Sequence, residues 1–269
     1  MCMSCVWCIV TPTAILEMNP TSMRSLPMTT VANRLTALIV GASRGLGHAI
    51  AAELLTRGTT PESEWTVIGT VRAGAEQTPL HTLADDNPGR VEIETLDVTA
   101  PDQIEALHER LKGRAIDLLF VNAGTTNRDP DQAIGTISTE AFTQIMITNA
   151  LSPMRVIEKF EPLVPTSGLI GVMSSGQGSI ANNENGMREL YRGSKAALNM
   201  FMRSFAARHA ATGRAVLVMA PGWIRTDLGG DDAPYTMAET VPAIVDVLLE
   251  KRGRPGIEYL DRFGKIVPW

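Results

Sequence analysis

Residues 35–40, Leu-Thr-Ala-Leu-Ile-Val, form a short apolar run without polar alternation, and they lead directly into Gly41-Ala42-Ser43-Arg44-Gly45-Leu46-Gly47. A strand with one wet face would alternate apolar and polar residues. One that is apolar throughout has both faces covered, which is the signature of a parallel sheet between two layers of helices. Several of the later strands are also continuously apolar. Residues 65–71, 91–96, 116–122, 169–174, 215–219 and 257–259 read as further strands. Between them, residues 49–56, 101–111, 139–160, 190–211 and 241–250 carry helical spacing, the second of these with proline at its first position. Strands alternating with helices predict an α/β fold with a doubly wound parallel sheet.

Residues 34–269 are read as a single domain, because no linker or internal repeat divides them. Residues 1–33 differ: they are rich in Met, Thr, Pro and Ser, and no Lys or Arg occurs before Arg24 to begin a secretory signal. The expectation is a disordered extension, with Met28 an alternative initiator. All three cysteines, Cys2, Cys5 and Cys8, lie there. A body without cysteine has no disulfide framework, which suits a reducing cytoplasm. A closed metal site would need a fourth ligand near the CxxCxxC run, and none is present, so no metal is expected. The net charge of −5 gives no reason to expect nucleic acid, and no apolar run is long enough for a bilayer.

Glycines at a strand-to-helix turn let the backbone approach a pyrophosphate, which sits on the free N–H groups of the helix that follows. A second constellation is Tyr191-Arg192-Gly193-Ser194-Lys195. Tyrosine and lysine four apart share one helix face. An ammonium beside a phenol favours the phenolate, so such a pair can pass a proton to or from a carbonyl or hydroxyl substrate.

The glycine spacing GxxxGxG resembles that of the short-chain dehydrogenase/reductase family, and further motifs follow in the family's order. Asn122-Ala123-Gly124 is similar to its NAG motif beside the adenine, and Asp97-Val98 to its adenine-contacting pair. Ser175, Tyr191, Lys195 and Asn149 match its catalytic serine, tyrosine, lysine and asparagine; Pro221-Gly222 matches its nicotinamide-side turn. Residues 191–200, 221–230 and the ending Ile266-Val267-Pro268-Trp269 resemble the C-factor-like subgroup.

The resemblance implies a Rossmann-type sheet with helices on both faces. It also implies an oxidoreductase that moves a hydride between nicotinamide and a small carbonyl or alcohol, with Tyr191 as general acid and base. On this reading Ser175 orients the carbonyl, Lys195 lowers the tyrosine pKa and meets the nicotinamide ribose, and Asn149 holds a water. Ile224 and Thr226 contact the carboxamide. Gly41, Ser43, Arg44, Gly45, Leu46 and Gly47 hold the pyrophosphate side. Ser175 is preferred over Ser174 because Gly176-Gln177-Gly178 follows it. Family members commonly pair the helices at 139–160 and 190–211 with symmetry mates, which implies a homodimer or homotetramer.

The choice of cofactor can be argued physically. An NAD enzyme usually carries an acid at the end of the second strand, to bind the ribose hydroxyls. Here that place reads Thr70-Val71-Arg72. Arg72 and Arg44 suit a 2′-phosphate, so NADP(H) is preferred and NAD(H) is the second choice. The competing function is a nucleotide-binding signalling or regulatory protein of the C-factor type, with little turnover. His48, His81, His108 and His209 have no partner at a useful spacing and receive no role. Trp223 stands open between pocket and packing, and residues 229–240 are expected to lid the pocket.

Overall fold

The structure is a computed structural model, and it describes residues 34–269 apart from 59, 61, 62, 128 and 130. The expected extension 1–33, with its cysteines and Met28, lies outside the described residues. The strands are β1 (Leu35–Val40), β2 (Trp65–Val71), β3 (Val91–Thr95), β4 (Leu118–Val121), β5 (Leu169–Met173), β6 (Ala215–Ala220) and β7 (Gly256–Asp261). They form one seven-stranded sheet in the order β3-β2-β1-β4-β5-β6-β7, and every neighbouring pair is parallel.

The helices are α1 (Gly45–Leu55), α2 (Pro79–Asp86), α3 (Pro101–Leu111), α4 (Thr139–Met146), α5 (Ser152–Phe160), α6 (Glu189–Arg208) and α7 (Met237–Lys251). Side chains of β1 alternate between two cores. Ala37 and Ile39 pack with Ile50 and Leu54 of α1 and with Ile244 and Leu248 of α7. Leu38 and Val40 pack in the layer of Leu107 of α3, Phe160 of α5 and Phe205 of α6. Because both faces are sealed, a strand without polar alternation is the stable choice, each large apolar side chain contributing about 1.5–3 kcal/mol on burial. This is the doubly wound, Rossmann-type arrangement.

Four elements differ from the sequence reading. The first helix, α1, begins at Gly45 within the glycine turn rather than at residue 49. The single helix expected at 139–160 is α4 and α5 joined through a π-helical segment, Ile147–Leu151. Such widened turns concentrate at functional sites, and this one carries Asn149. The helix α2 was not foreseen: it is short, and its start depends on Thr78, whose backbone N–H donates to Nδ1 of His81 at 3.2 Å. His81 is thus a capping residue. Finally, α7 begins before residue 241, because Thr236 and Glu239 form a reciprocal capping box, with Thr236 N donating to Glu239 Oε2 at 2.9 Å and Glu239 N to Thr236 Oγ1 at 3.3 Å. Pro242 inside the helix hid that start.

Candidate active site

The strand order reverses between β1 and β4, and ligands in open parallel sheets bind outside the carboxyl ends at that point. A cleft of about 980 Å³ opens there. One wall is the turn after β1. Gly41 has φ +87°, a left-handed conformation, and a Cβ on it would lie 2.9 Å from the backbone of Ala123. A Cβ on Gly47 would lie 2.1 Å from the Gly41 carbonyl oxygen and 2.6 Å from Asn122 Nδ2. Gly47 does not border the cleft; it lets α1 pack onto the turn. Asn122 Nδ2 donates to the Gly41 carbonyl at 2.9 Å, and the Gly41 N–H donates to Thr70 Oγ1 at 2.9 Å, so β1, β2 and β4 are tied together where the turn begins.

At its N-terminus α1 has no side-chain cap and no acidic residue in the first turn. Its free N–H groups therefore remain available to a phosphate. Ser43, Arg44, Gly45 and Leu46 border the cleft beside them, with Arg72, Asp97, Val98, Ala123 and Gly124 further along. The residues present fit a dinucleotide with an extra phosphate: β2 ends at Val71 and Arg72 follows it, with no acid there. Two hydrogen bonds from Thr99, and then the Arg72 guanidinium, hold the Asp97 carboxyl below its usual range. Arg44 is bridged to Asp227 across the cleft at 3.0 Å.

The other end of the cleft holds Ser175, Tyr191 and Lys195, together with Pro221, Gly222, Ile224 and Thr226. Ser174 and Ser175 follow β5 and point apart. Ser174 is buried and its Oγ donates to Asn199 Oδ1 at 2.6 Å. Ser175 faces Tyr191, accepts the Gln177 N–H at 3.1 Å, and its carbonyl accepts the Tyr259 hydroxyl. Burial pushes the Tyr259 phenol up to about 12, which keeps it a donor.

Tyr191 is buried. Burial pushes its phenol up, while Ser175 and then the Arg188 guanidinium draw it down. Lys195 is also buried, and desolvation lowers its ammonium to about 8. Its Nζ donates to the Met173 carbonyl at 2.8 Å and lies 5.8 Å from the Tyr191 ring centroid.

Asn149 is fully buried in the π-helical segment and does not border the cleft. Its Oδ1 accepts the Thr125 N–H at 2.8 Å, and its Nδ2 donates to the Thr125 carbonyl at 2.8 Å and to Ser194 Oγ at 2.9 Å. It thereby ties the segment after β4 to α6. A Cβ on Gly124 would stand 3.4 Å from both Asn149 Oδ1 and Lys195 Nζ, so glycine leaves room between them.

Trp223 borders the cleft half-exposed, with its Nε1 donating to the Gly229 carbonyl at 2.7 Å. Residues 223–229 supply this wall. The expected lid at 229–240 touches the cleft only at Gly229, because its last residues are spent starting α7. None of the four histidines borders the cleft. Sequence reasoning missed Arg188, three residues before Tyr191, whose position depends on a left-handed backbone.

The profile of the short chain dehydrogenase family matches residues 35–234, from β1 through the wall beyond β6. The chain belongs to this short-chain dehydrogenase/reductase family. It is thus a member of an oxidoreductase family, and its C-factor-like motifs agree with its likeness to C-signal of Myxococcus xanthus, 31% identical over 57% of this chain and 93% of that protein. Among solved short-chain dehydrogenase/reductase structures, one from Burkholderia multivorans with bound NADP is 65% identical, covers 88% of this chain and 100% of its own, and superposes with a TM-score of 0.84. A carbonyl reductase from Pseudomonas aeruginosa PAO1 in complex with NADP is 32% identical over 88% of this chain and 100% of its own, with a TM-score of 0.78.

Proposed function

We propose that the chain is an NADP(H)-dependent oxidoreductase acting on a carbonyl or alcohol group of a small molecule, with Tyr191 as its general acid and base. The observation that carries this reading is the meeting of Ser175, Tyr191 and Lys195 at one end of a cleft whose other end is an uncapped helix N-terminus. The NADP bound to the structure from Burkholderia multivorans supports the cofactor.

When bound, the cofactor supplies or takes up the hydride. Ser175 donates to the carbonyl oxygen and holds it beside Tyr191. Tyr191 gives its proton to that oxygen as the carbon is reduced, so no full negative charge develops there. In the reverse direction the phenolate takes the proton from the alcohol. Lys195 places a cation beside the phenol and a donor toward the cofactor's ribose. Asn149 keeps α6 in register with the segment after β4.

The reading is tested by following NADPH oxidation with aldehydes, ketones and quinones; binding of NADPH with no turnover on any of them would overturn it. The likeness to C-signal favours a second reading, a regulatory protein with little turnover, and the same assay separates the two. Exposed Phe142 of α4 and Met200 and Phe201 of α6 support pairing of these helices in a homodimer or homotetramer. No helix among the described residues is long and apolar enough to cross a membrane.

Three substitutions follow from the side chains. Arg72→Ala removes a charge-assisted contact to the 2′-phosphate and is expected to weaken NADPH binding by about 10–100-fold, with NADH changed little. Equal losses by fluorescence titration would show that Arg72 does not select the cofactor. Ser175→Ala is expected to lower kcat by about 10- to 1000-fold, and the loss of its bond from the Gln177 N–H to cost about 1 kcal/mol of stability. Ser174→Ala leaves Asn199 Oδ1 unpaired and costs about 1–3 kcal/mol of stability, with turnover per folded molecule retained.

A further inference from the structure

One cation in the cleft has no part in the chemistry above. Arg188, just before α6, has φ 61° and ψ 38°, and among the described residues it is the one non-glycine with positive φ. A left-handed backbone is costly for a residue with a Cβ, and it persists where the surrounding fold enforces it, commonly at binding sites. The strain has a visible result. It sets the guanidinium in the cleft wall, 5.4 Å from the centroid of the Tyr191 ring, on the side that Ser175 and Gln177 also border.

The guanidinium is left without an anion. Its Nε is buried with no hydrogen-bond partner. The acid next to it, Glu189, accepts the Ile134 N–H at 3.0 Å instead. The other arginines of the cleft are placed differently: Arg44 is bridged to Asp227, and Arg72 acts on Asp97 beyond β3. Of the cleft's arginines, Arg188 is the one beside the proton donor. A half-buried guanidinium with open donors is matched best by a carboxylate, which it can bind through two parallel hydrogen bonds.

We propose that Arg188 is the substrate's anion anchor, so that the preferred substrates are small oxo acids or the corresponding hydroxy acids, with the carboxylate on Arg188 and the carbonyl between Ser175 and Tyr191. This deepens the oxidoreductase reading and rests on it for the carbonyl; the anchor itself is a binding property. An arginine that served only to draw down the Tyr191 phenol would act on every substrate alike.

The test is calorimetric titration of the NADP⁺-saturated protein with 2-, 3- and 4-oxo acids, each beside its uncharged methyl ester. In at least one pair the acid should bind about 10–100-fold tighter than the ester. Arg188→Gln should erase that preference with ester affinity unchanged, and Arg188→Lys should restore part of it. Arg188→Gly, which relieves the left-handed strain, should melt no lower than wild type and still lose the preference, which separates anchoring from folding. Equal binding of acids and esters by the wild type, or a preference that survives Arg188→Gln, overturns the anchor. NADPH oxidation with the same compounds keeps the two readings apart. Turnover of esters as fast as acids with Arg188→Gln neutral sinks the anchor and spares the oxidoreductase, whereas acid-selective binding without any turnover does the reverse.

Discussion

Tyr191→Phe is expected to lower kcat for NADPH-dependent carbonyl reduction by about 10²–10⁴-fold, the contribution of a positioned general acid. That is about 3–5 kcal/mol of transition-state stabilisation. The substitution removes one oxygen from a buried side chain and keeps the ring that α6 contributes to the interior, so folding and NADPH affinity should hold within a few-fold. The pH dependence carries a sign. Burial holds the phenol above its ordinary value, so at neutral pH Tyr191 is protonated, as reduction requires. Alcohol oxidation needs the phenolate, and its rate should rise about tenfold per pH unit from neutrality until the phenol titrates. Single-turnover absorbance of NADPH measures both. A Phe variant that keeps a tenth of the wild-type kcat would remove Tyr191 from the chemistry.

Lys195→Met should have two opposite effects. Turnover should fall by about 10²-fold or more, because the cation beside the phenol is gone. Stability at pH 7 should rise. Burial lowers this ammonium from 10.5 to about 8, and at about 1.36 kcal/mol per unit the cost of holding the charge inside is about 3 kcal/mol. Leaving the Met173 carbonyl without its donor offsets about 1 kcal/mol of the gain. The pH window is set by the two ends of the shift. Below about 8 lysine is charged in folded and unfolded chains alike, and the burial cost stands in full. From about 8 towards 10.5 the folded chain releases the proton first, and the cost disappears. The variant's advantage should therefore be largest at pH 7 and shrink at pH 10, as read by urea denaturation. A variant less stable at pH 7, or an advantage that does not change with pH, would show that the buried charge is not what strains the fold.

Much of this molecule was legible before its coordinates because the relevant signals are local. An unalternated strand needs two cores wherever it sits, and a glycine turn between strand and helix depends on its immediate neighbours. Tyr191 and Lys195 share a helix face by spacing alone. What escaped depends on contacts between distant segments. Ser175 is chosen over Ser174 by the glycines that follow it, but the partner of the Ser174 hydroxyl has no sequence signal: the register of β5 against β6 and the packing of α6 bring it to Asn199. The π-helical segment at 147–151 leaves no mark in hydrophobic periodicity, since it adds a single residue to a turn. Arg188 carries no motif of its own, and its place in the cleft depends on a left-handed backbone.

Removing Ala37 from β1 would hand Leu38 to the layer shaped for Ala37 and send Ile39 into the layer of Val40. Both cores would be mispacked at once, and Gly41 would lose its place against Ala123. Such a chain can therefore exchange side chains in its central strand far more readily than it can change that strand's length. The exposed stretch 181–187 before Arg188 feeds neither layer and is free of that parity. Lineages descended from this scaffold should consequently diverge by insertion and deletion in that stretch, while the strand beneath the glycine turn keeps its count.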